Sequence, residues 1–152
     1  MSVIVVQGYC PLKGEVEIQG SKNAALPMMA AALLHKGTTI LKHVPMIQDV
    51  FCMMGILQSM GRKCCLKDRT LAIDAREVAD TEISREDGKA MRSSIIVLGA
   101  LLGRCGEAKA YYPGGCSIGS RPIDLHLEAL KQMGAEIEEE GERIRAGTTG
   151  LR

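Results

Sequence analysis

The sequence LQSMG, residues 57–61, returns later in the chain as LKQMG, residues 130–134. A second match precedes each of these: the leucine pair Leu33–Leu34 stands before Gly37, as Leu101–Leu102 stands before Gly106. Apolar residues followed by glycine are typical of a helix and its C-terminal stop. The two matches in the same order predict a structural unit that occurs twice.

Together with these matches, the apolar spacing and the Gly and Pro positions predict two units of the form αβαββ, each after an incoming strand. The fold class is therefore α/β. We expect incoming strands at 3–7 and 15–18. Helices are expected at 24–34, with Pro27 in the first turn, and at 50–60, 89–102 and 123–133. The remaining strands are expected at 38–44, 62–67, 70–74, 107–112, 135–139 and 142–146.

The two copies differ in one loop. From Pro45 to Gly61 is 16 residues, whereas from Pro113 to Gly134 is 21. The five extra residues fall within 114–121, which reads GGCSIGSR. A duplicated scaffold does not need a longer loop in one copy for stability, and loops of this kind carry binding and catalysis.

Composition narrows the class of protein. The chain has 152 residues and a net charge of +1, a length that fits one domain or a large piece of one. Apolar residues make up 46% of it and aromatic residues only 3%, so we expect an aliphatic core. The absence of a basic excess argues against a nucleic-acid partner, and no apolar run is long enough to cross a membrane. The six cysteines show no disulfide framework or Cys-x-x-Cys pair, which indicates reduced thiols, a cytoplasmic protein and no metal site.

Cys116 is the first candidate for chemistry. Glycines on both sides of it leave little core for a buried thiol to fill, and Arg121 lies five residues on. We expect Pro122 to be the first residue of a helix, where its missing N–H costs nothing. A thiol, a cation and a helix N-terminus suit an anionic ligand and cysteine chemistry.

Two other cations stand near expected helix starts. Lys22 and Asn23 precede the first helix, and Arg92 lies in the first turn of an apolar one. A cation at a helix N-terminus faces the unfavourable end of the helix dipole, so a bound anion is a plausible reason for Arg92. The alternative for Lys22 is a solvated lysine beside an N-cap.

Other polar residues have simpler interpretations. His126 could pair with Cys116 as in a cysteine hydrolase, although a surface histidine on a helix fits better because nothing orients it. Cys52 and Cys105 suit buried apolar positions, and the strand at 62–67 should point one of Cys64 and Cys65 inward. The acidic run at 136–140 reads as a solvated sheet edge, and His35 and His43 have no metal-ligand spacing.

Three stretches together resemble the N-terminal part of the UDP-N-acetylglucosamine enolpyruvyl transferase (MurA) family. They are GSKNAALP at 20–27, MRSS at 91–94 and PGGCSIGSRPIDLH at 113–126. The resemblance implies an inside-out barrel built from βαβαββ repeats, in two domains. It also implies transfer of the enolpyruvyl group of phosphoenolpyruvate to UDP-N-acetylglucosamine in peptidoglycan synthesis, without a cofactor.

The resemblance also implies roles for individual residues. Cys116 is the expected general acid and the target of fosfomycin. Lys22, Asn23 and Arg121 are the expected phosphoenolpyruvate contacts. The nucleotide sugar is expected to contact Arg92, Arg121, Pro122, Ile123, Asp124 and Leu125.

Length is where this chain departs from the family, whose members are much longer than 152 residues. The resemblance assigns residues 1–20 to strands of the second domain, 21–87 to a first repeat and 88–152 to a second repeat with the Cys116 loop. The chain is then an incomplete enolpyruvyl transferase, with a second chain as a possible source of the missing domain. The alternative is a non-catalytic half-protein that binds a ligand or a partner chain.

Overall fold

Two three-stranded sheets of identical topology frame the fold. The computed structural model describes residues 3–9, 11–77, 79–114 and 122–152. The first sheet has the order β1-β3-β2 and the second β4-β6-β5, with every neighbouring pair antiparallel. The strands are β1 (Thr38–Leu41), β2 (Lys63–Lys67), β3 (Thr70–Asp74), β4 (Glu107–Tyr111), β5 (Glu136–Glu140) and β6 (Arg143–Gly147). The predicted α/β class and the duplicated unit are confirmed.

Five α-helices pack against these sheets and against one another. They are α1 (Lys22–Ala31), α2 (Gln48–Ser59), α3 (Arg85–Ala90), α4 (Ile95–Cys105) and α5 (Asp124–Gln132), with 3₁₀ turns at Ala32–Leu34 and Arg92–Ser94. Met29, Met53, Leu57 and Leu98 are completely buried, and one contiguous apolar cluster runs through both units. The core is aliphatic, as the composition predicted.

The matched glycines end equivalent helices in the same way. The Gly61 N–H donates to Gln58 O and the next N–H, of Arg62, donates to Leu57 O. Gly134 and Ala135 repeat both bonds at the end of α5, and the two glycines have φ of +85° and +96°. This pair of bonds is the Schellman motif, in which a glycine takes the left-handed conformation at no steric cost.

Three helix boundaries differ from the predictions. The helix expected at 89–102 is broken, because Met91 is extended (φ −152°, ψ 142°) between α3 and the turn that leads into α4. The last helix begins at Asp124, so Pro122 is not its first residue. Since α1 begins at Lys22, Pro27 lies in the second helical turn and not in the first.

The strands predicted at 3–7 and 15–18 do not form in this structure, and that prediction is wrong. The apolar side chains of Val3, Ile4, Val5 and Val6 are 81–89% exposed, and those of Val16 and Ile18 are 83% and 84% exposed. A strand needs a neighbouring strand for its backbone hydrogen bonds, and within the described residues no strand pairs with either segment.

Candidate functional site

The N-terminal ends of helices α1 and α2 lie side by side. Lys22, the first residue of α1, places its Nζ 2.9 Å from Oδ2 of Asp49, in the first turn of α2. The two helices also pack against each other. Asp49 was not anticipated from the sequence, although an acidic residue in a first helical turn is a common stabilising feature.

Helices α4 and α5 run side by side in the same direction. The His126 ring lies beside the Ile95 backbone, and one turn further on a side chain at Gly99 would meet Leu130 at 3.7 Å. Just before the first residues of both helices, Arg92 donates a hydrogen bond from Nη2 to Pro122 O, with an N···O distance of 3.1 Å. The starts of α4 and α5 are therefore adjacent.

The ends of α1 and α4 also coincide. Arg104, near the end of α4, donates from Nη1 to Leu33 O at 2.9 Å, and Gly103 lies against Leu34. Since α1 and α4 pack together, they also begin at a common side of the molecule. Four helix N-termini thus lie at one end of the fold, where the helix dipoles favour an anion.

Lys22 and Arg92 bring two cations to this end. The Lys22 side chain is 51% exposed, and Asn23 beside it is exposed. Arg92 is half-buried and uses one of its five N–H donors on Pro122 O. Both cations have N–H donors beyond these contacts, and the solvated-lysine alternative for Lys22 is compatible with the exposure of its side chain.

The segment 122–125 offers mixed surfaces to a ligand. Pro122, Asp124 and Leu125 are exposed, Leu125 by 87%. Ile123 is only 5% exposed, so its side chain belongs to the core and only its backbone can contact a ligand. Cys116 and Arg121 lie outside the described residues, as does Cys10.

The described residues before the loop are anchored to α3. The Gly114 N–H donates to Gly88 O at 3.2 Å. A Cβ on Gly114 would come within 2.7 Å of Lys89 O, so the close approach of the two backbones requires glycine here. The nearby salt bridges of Glu142 with Arg85 and Lys89 hold α3 against the turn between β5 and β6, and neither was foreseen.

The described cysteines differ from one another in burial. Cys52 and Cys105 are half-buried, less than predicted. Cys64 is half-buried and Cys65 is exposed, which confirms the predicted alternation on β2. Burial raises the pKa of the Cys64 thiol to about 11. Within residues 3–9, 11–77, 79–114 and 122–152, no three metal-binding side chains cluster and no helix is long and apolar enough to cross a membrane.

His126 is half-buried, and this burial lowers its pKa. Its Nε2 atom meets no hydrogen-bond partner in the part of the chain that the structure describes. The histidine therefore packs between α4 and α5 and is not free at the surface of its helix. The acidic run is an exposed edge strand as predicted, with Glu139 hydrogen-bonded to Tyr112, whose pKa this bond raises to about 12.

Comparison with known proteins gives consistent matches. The family model of EPSP synthase (3-phosphoshikimate 1-carboxyvinyltransferase) matches residues 6–149. The UDP-N-acetylglucosamine 1-carboxyvinyltransferase of Thermotoga maritima is 51% identical over 140 residues, which are 92% of this chain and 33% of that protein. The Finegoldia magna enzyme of the same name is 46% identical over 147 residues, 96% of this chain and 35% of that protein.

Solved structures agree on the fold. The enolpyruvyl transferase NikO from Streptomyces tendae superposes with a TM-score of 0.77 at 20% identity, over 92% of this chain and 31% of that one. EPSP synthase from Acinetobacter baumannii gives 0.62 at 18% identity, over 88% and 32%. The chain spans about a third of the length of the curated relatives it matches.

Proposed function

The chain belongs to the EPSP synthase family of enolpyruvyl transferases, and from this premise we propose that it forms part of a MurA-type active site. The reaction is transfer of the enolpyruvyl group from phosphoenolpyruvate to the 3-hydroxyl of UDP-N-acetylglucosamine. The relatives that are 43–51% identical to the chain carry the name UDP-N-acetylglucosamine 1-carboxyvinyltransferase, which supports this reaction class.

One observation carries the proposal: four helix N-termini lie at one end of the fold with Lys22 and Arg92 beside them. Both substrates are anions, one a phosphate ester with a carboxylate and the other a nucleoside diphosphate sugar. Backbone N–H groups and fixed cations stabilise such charges, including the charge that grows on phosphate as it leaves.

In the proposed mechanism Cys116 donates its proton to the methylene carbon of phosphoenolpyruvate. The sugar 3-hydroxyl oxygen attacks the adjacent carbon and releases its proton to a base supplied by further polypeptide. The Cys116 thiolate then takes back a proton from the new methyl group, which restores the double bond as phosphate leaves with the proton of the hydroxyl group. Lys22, Asn23 and Arg121 bind phosphoenolpyruvate, while Arg92 and residues 121–125 bind the nucleotide sugar. Alkylation of Cys116 by fosfomycin would block the acid.

The chain supplies only part of this site, because it spans about a third of its relatives. We propose that residues 1–20 pair with a second domain supplied by further polypeptide, and that 21–87 and 88–152 are two repeats of the first domain. The short length of the chain relative to these relatives also supports a second candidate function, that of a non-catalytic half-protein that binds ligand without turnover.

Binding of UDP-N-acetylglucosamine to the 152-residue chain tests the assignment of Arg92. In a ¹⁵N NMR titration we expect amide shifts at Arg92, Asp124 and Leu125, and an affinity at least about tenfold weaker in Arg92→Ala, since a hydrogen bond to a charged group contributes about 1.5–3 kcal/mol. Arg85→Ala, which removes an exposed arginine from α3, is the matched control. Equal affinities for the two variants would reject the role of Arg92.

A further inference from the structure

Arg62 is a buried cation that does not use all of its hydrogen-bond donors. Only 3% of its surface is exposed. Its Nη1 atom donates to Met60 O at 2.9 Å and to Glu77 O at 2.7 Å. Its Nε and Nη2 atoms are buried and meet no hydrogen-bond partner among the residues that the structure describes. A buried guanidinium with unused donors is costly, so this group indicates that an acceptor is missing.

The duplicated unit shows that the scaffold does not require this arginine. Arg62 and Ala135 follow the two matched helix-ending glycines, and their N–H groups make equivalent bonds, to Leu57 O and to Leu130 O. Ala135 is 7% exposed, so a small apolar side chain is sufficient at this position in the second unit. The arginine of the first unit therefore needs a separate explanation.

A second arginine lies close to Arg62. Arg104, near the end of α4, donates from Nη2 to Ala75 O at 3.0 Å and to Arg76 O at 3.2 Å. The next carbonyl along the chain, Glu77 O, is the one that accepts from Arg62. Three successive carbonyl groups after β3 thus bring two guanidinium groups together. Because like charges repel, the pair favours a negative charge beside it.

Cys105 is the nucleophilic group beside this pair. It is the last residue of α4, next to Arg104 in the chain, and it is half-buried. Burial lowers the pKa of the Arg62 guanidinium; among its ionisable neighbours Cys105 acts most strongly and raises that pKa, Arg104 lowers it, and Asp80 raises it least. Asp80 is exposed, and its Oδ1 accepts from the Glu82 N–H. The Cys105 sulfur is therefore the neighbour best placed to carry an acceptor for Arg62.

We propose that Cys105 is a site of oxidation by peroxides, at which Arg62 binds the oxygen atom that oxidation adds to the sulfur. The Cys105 sulfur attacks one oxygen of hydrogen peroxide, so that an S–O bond forms and the O–O bond breaks. The departing hydroxide takes the thiol proton and leaves as water; the sulfur is oxidised by two electrons and the peroxide is reduced. The product is a sulfenic acid, whose oxygen accepts from the unused Nε and Nη2 donors. This chemistry is independent of the proposed transfer reaction, since Cys105 ends α4 whereas the proposed substrates bind where α4 begins.

Differential alkylation of the 152-residue chain tests the proposal. The folded protein is treated with limiting hydrogen peroxide at neutral pH, denatured and alkylated with iodoacetamide, and peptide mass spectrometry gives the loss of each thiol, with and without arsenite to reduce sulfenic acids. We expect Cys105 to be oxidised at least about tenfold faster than Cys52, because a guanidinium stabilises the charge that develops on oxygen as the O–O bond breaks. Cys52 is the matched comparison, since it is also half-buried on a helix but accepts from the neutral amide of Gln48.

Two arginine variants separate the role of Arg62 from general accessibility. Arg62→Met removes the guanidinium at similar volume, and we expect it to slow the oxidation of Cys105 about tenfold and to leave Cys52 unchanged. Arg76→Met, at an exposed arginine paired with Asp74, is the control and should change neither rate. Equal rates at Cys105 in the wild type and in Arg62→Met, with circular dichroism showing that the variant is folded, would overturn the proposal. So would a Cys105 that reacts no faster than Cys52 in the wild type, or a loss of the Cys105 thiol that arsenite does not recover; the wild-type comparison decides the matter if Arg62→Met does not fold.

Discussion

At the scale of residues, two cations occupy positions that a helix dipole disfavours. Lys22 opens α1, and Arg92 opens the turn that leads into α4. Each misplaced charge costs about 0.3–1 kcal/mol at an exposed site. Asp49 and Pro122 O offset part of this cost, and a bound anion at the same helix starts would offset more.

Thiol reactivity should differ between Cys116 in the glycine-rich stretch and the half-buried Cys64. We predict that limiting iodoacetamide at neutral pH labels Cys116 before Cys64, because the thiolate is the nucleophile. With a pKa of about 11, Cys64 is ionised to only about one part in ten thousand at pH 7. Peptide mass spectrometry of the folded chain gives the order.

Cys65 is the internal control for this measurement, since it is exposed on the same strand as Cys64. Arg121→Ala should slow labelling of Cys116 and leave Cys65 unaffected, because the substitution removes the cation nearest to Cys116 in sequence. If Cys116 reacts among the slowest of the six cysteines, the assignment of this loop as the reactive site is wrong.

At the scale of elements, the sequence predicted the features that depend on residues close together in the chain. The helix stops at Gly61 and Gly134 could be predicted because only glycine takes the left-handed conformation cheaply, and the strands of both hairpins followed from their alternation. Met91 looks like any other helix residue, and its extended backbone depends on how α3 and α4 pack. The strands at 3–7 and 15–18 had the right pattern, but pairing requires a neighbour that residue patterns do not reveal.

Two matched glycines allow a comparison within one chain. Gly61→Ala and Gly134→Ala should each destabilise the protein by about 1–2 kcal/mol through their positive φ. A Cβ at Gly61 would also come within 2.7 Å of the Ala79 Cβ, while at Gly134 the nearest atom is Gly150 O at 3.6 Å. Gly61→Ala should therefore cost about 1 kcal/mol more in urea unfolding. A larger loss for Gly134→Ala would contradict this account of the first unit.

The contact between α4 and α5 should make stability depend on pH. Burial lowers the pKa of His126 from its ordinary value of 6.5, so the unfolded chain binds a proton more readily than the folded one. The free energy of unfolding is then highest above pH 6.5 and falls as the pH drops through 6.5 toward the lowered value. Urea unfolding of the wild type and of His126→Gln between pH 5 and 7.5 measures this.

The His126→Gln variant should lose most of this pH dependence. His35→Gln, at an exposed position, is the control and should keep the wild-type slope. A wild-type slope that survives in His126→Gln would show that other groups cause it.

At the scale of the whole molecule, two repeats form one aliphatic core and present four helix N-termini at one end. The sequence predicted the duplication and the cations near the starts of α1 and α4. It did not predict Asp49 or the bond from Arg92 to Pro122 O, because both join residues that are distant in sequence. Since the chain spans about a third of its relatives, the proposed reaction requires groups from further polypeptide.

Phosphate release from phosphoenolpyruvate in the presence of UDP-N-acetylglucosamine tests the central claim most directly. We expect no turnover by the 152-residue chain, because removing groups that act as a unit destroys most of the rate. We expect turnover of roughly 1 per second or more by a chimera in which the 140 matched residues of this chain replace their counterpart in the Thermotoga maritima relative, and loss of that turnover in the Cys116→Ala variant of the chimera. Turnover by the isolated chain at that rate, or a folded chimera as inactive as its Cys116→Ala variant, would contradict it.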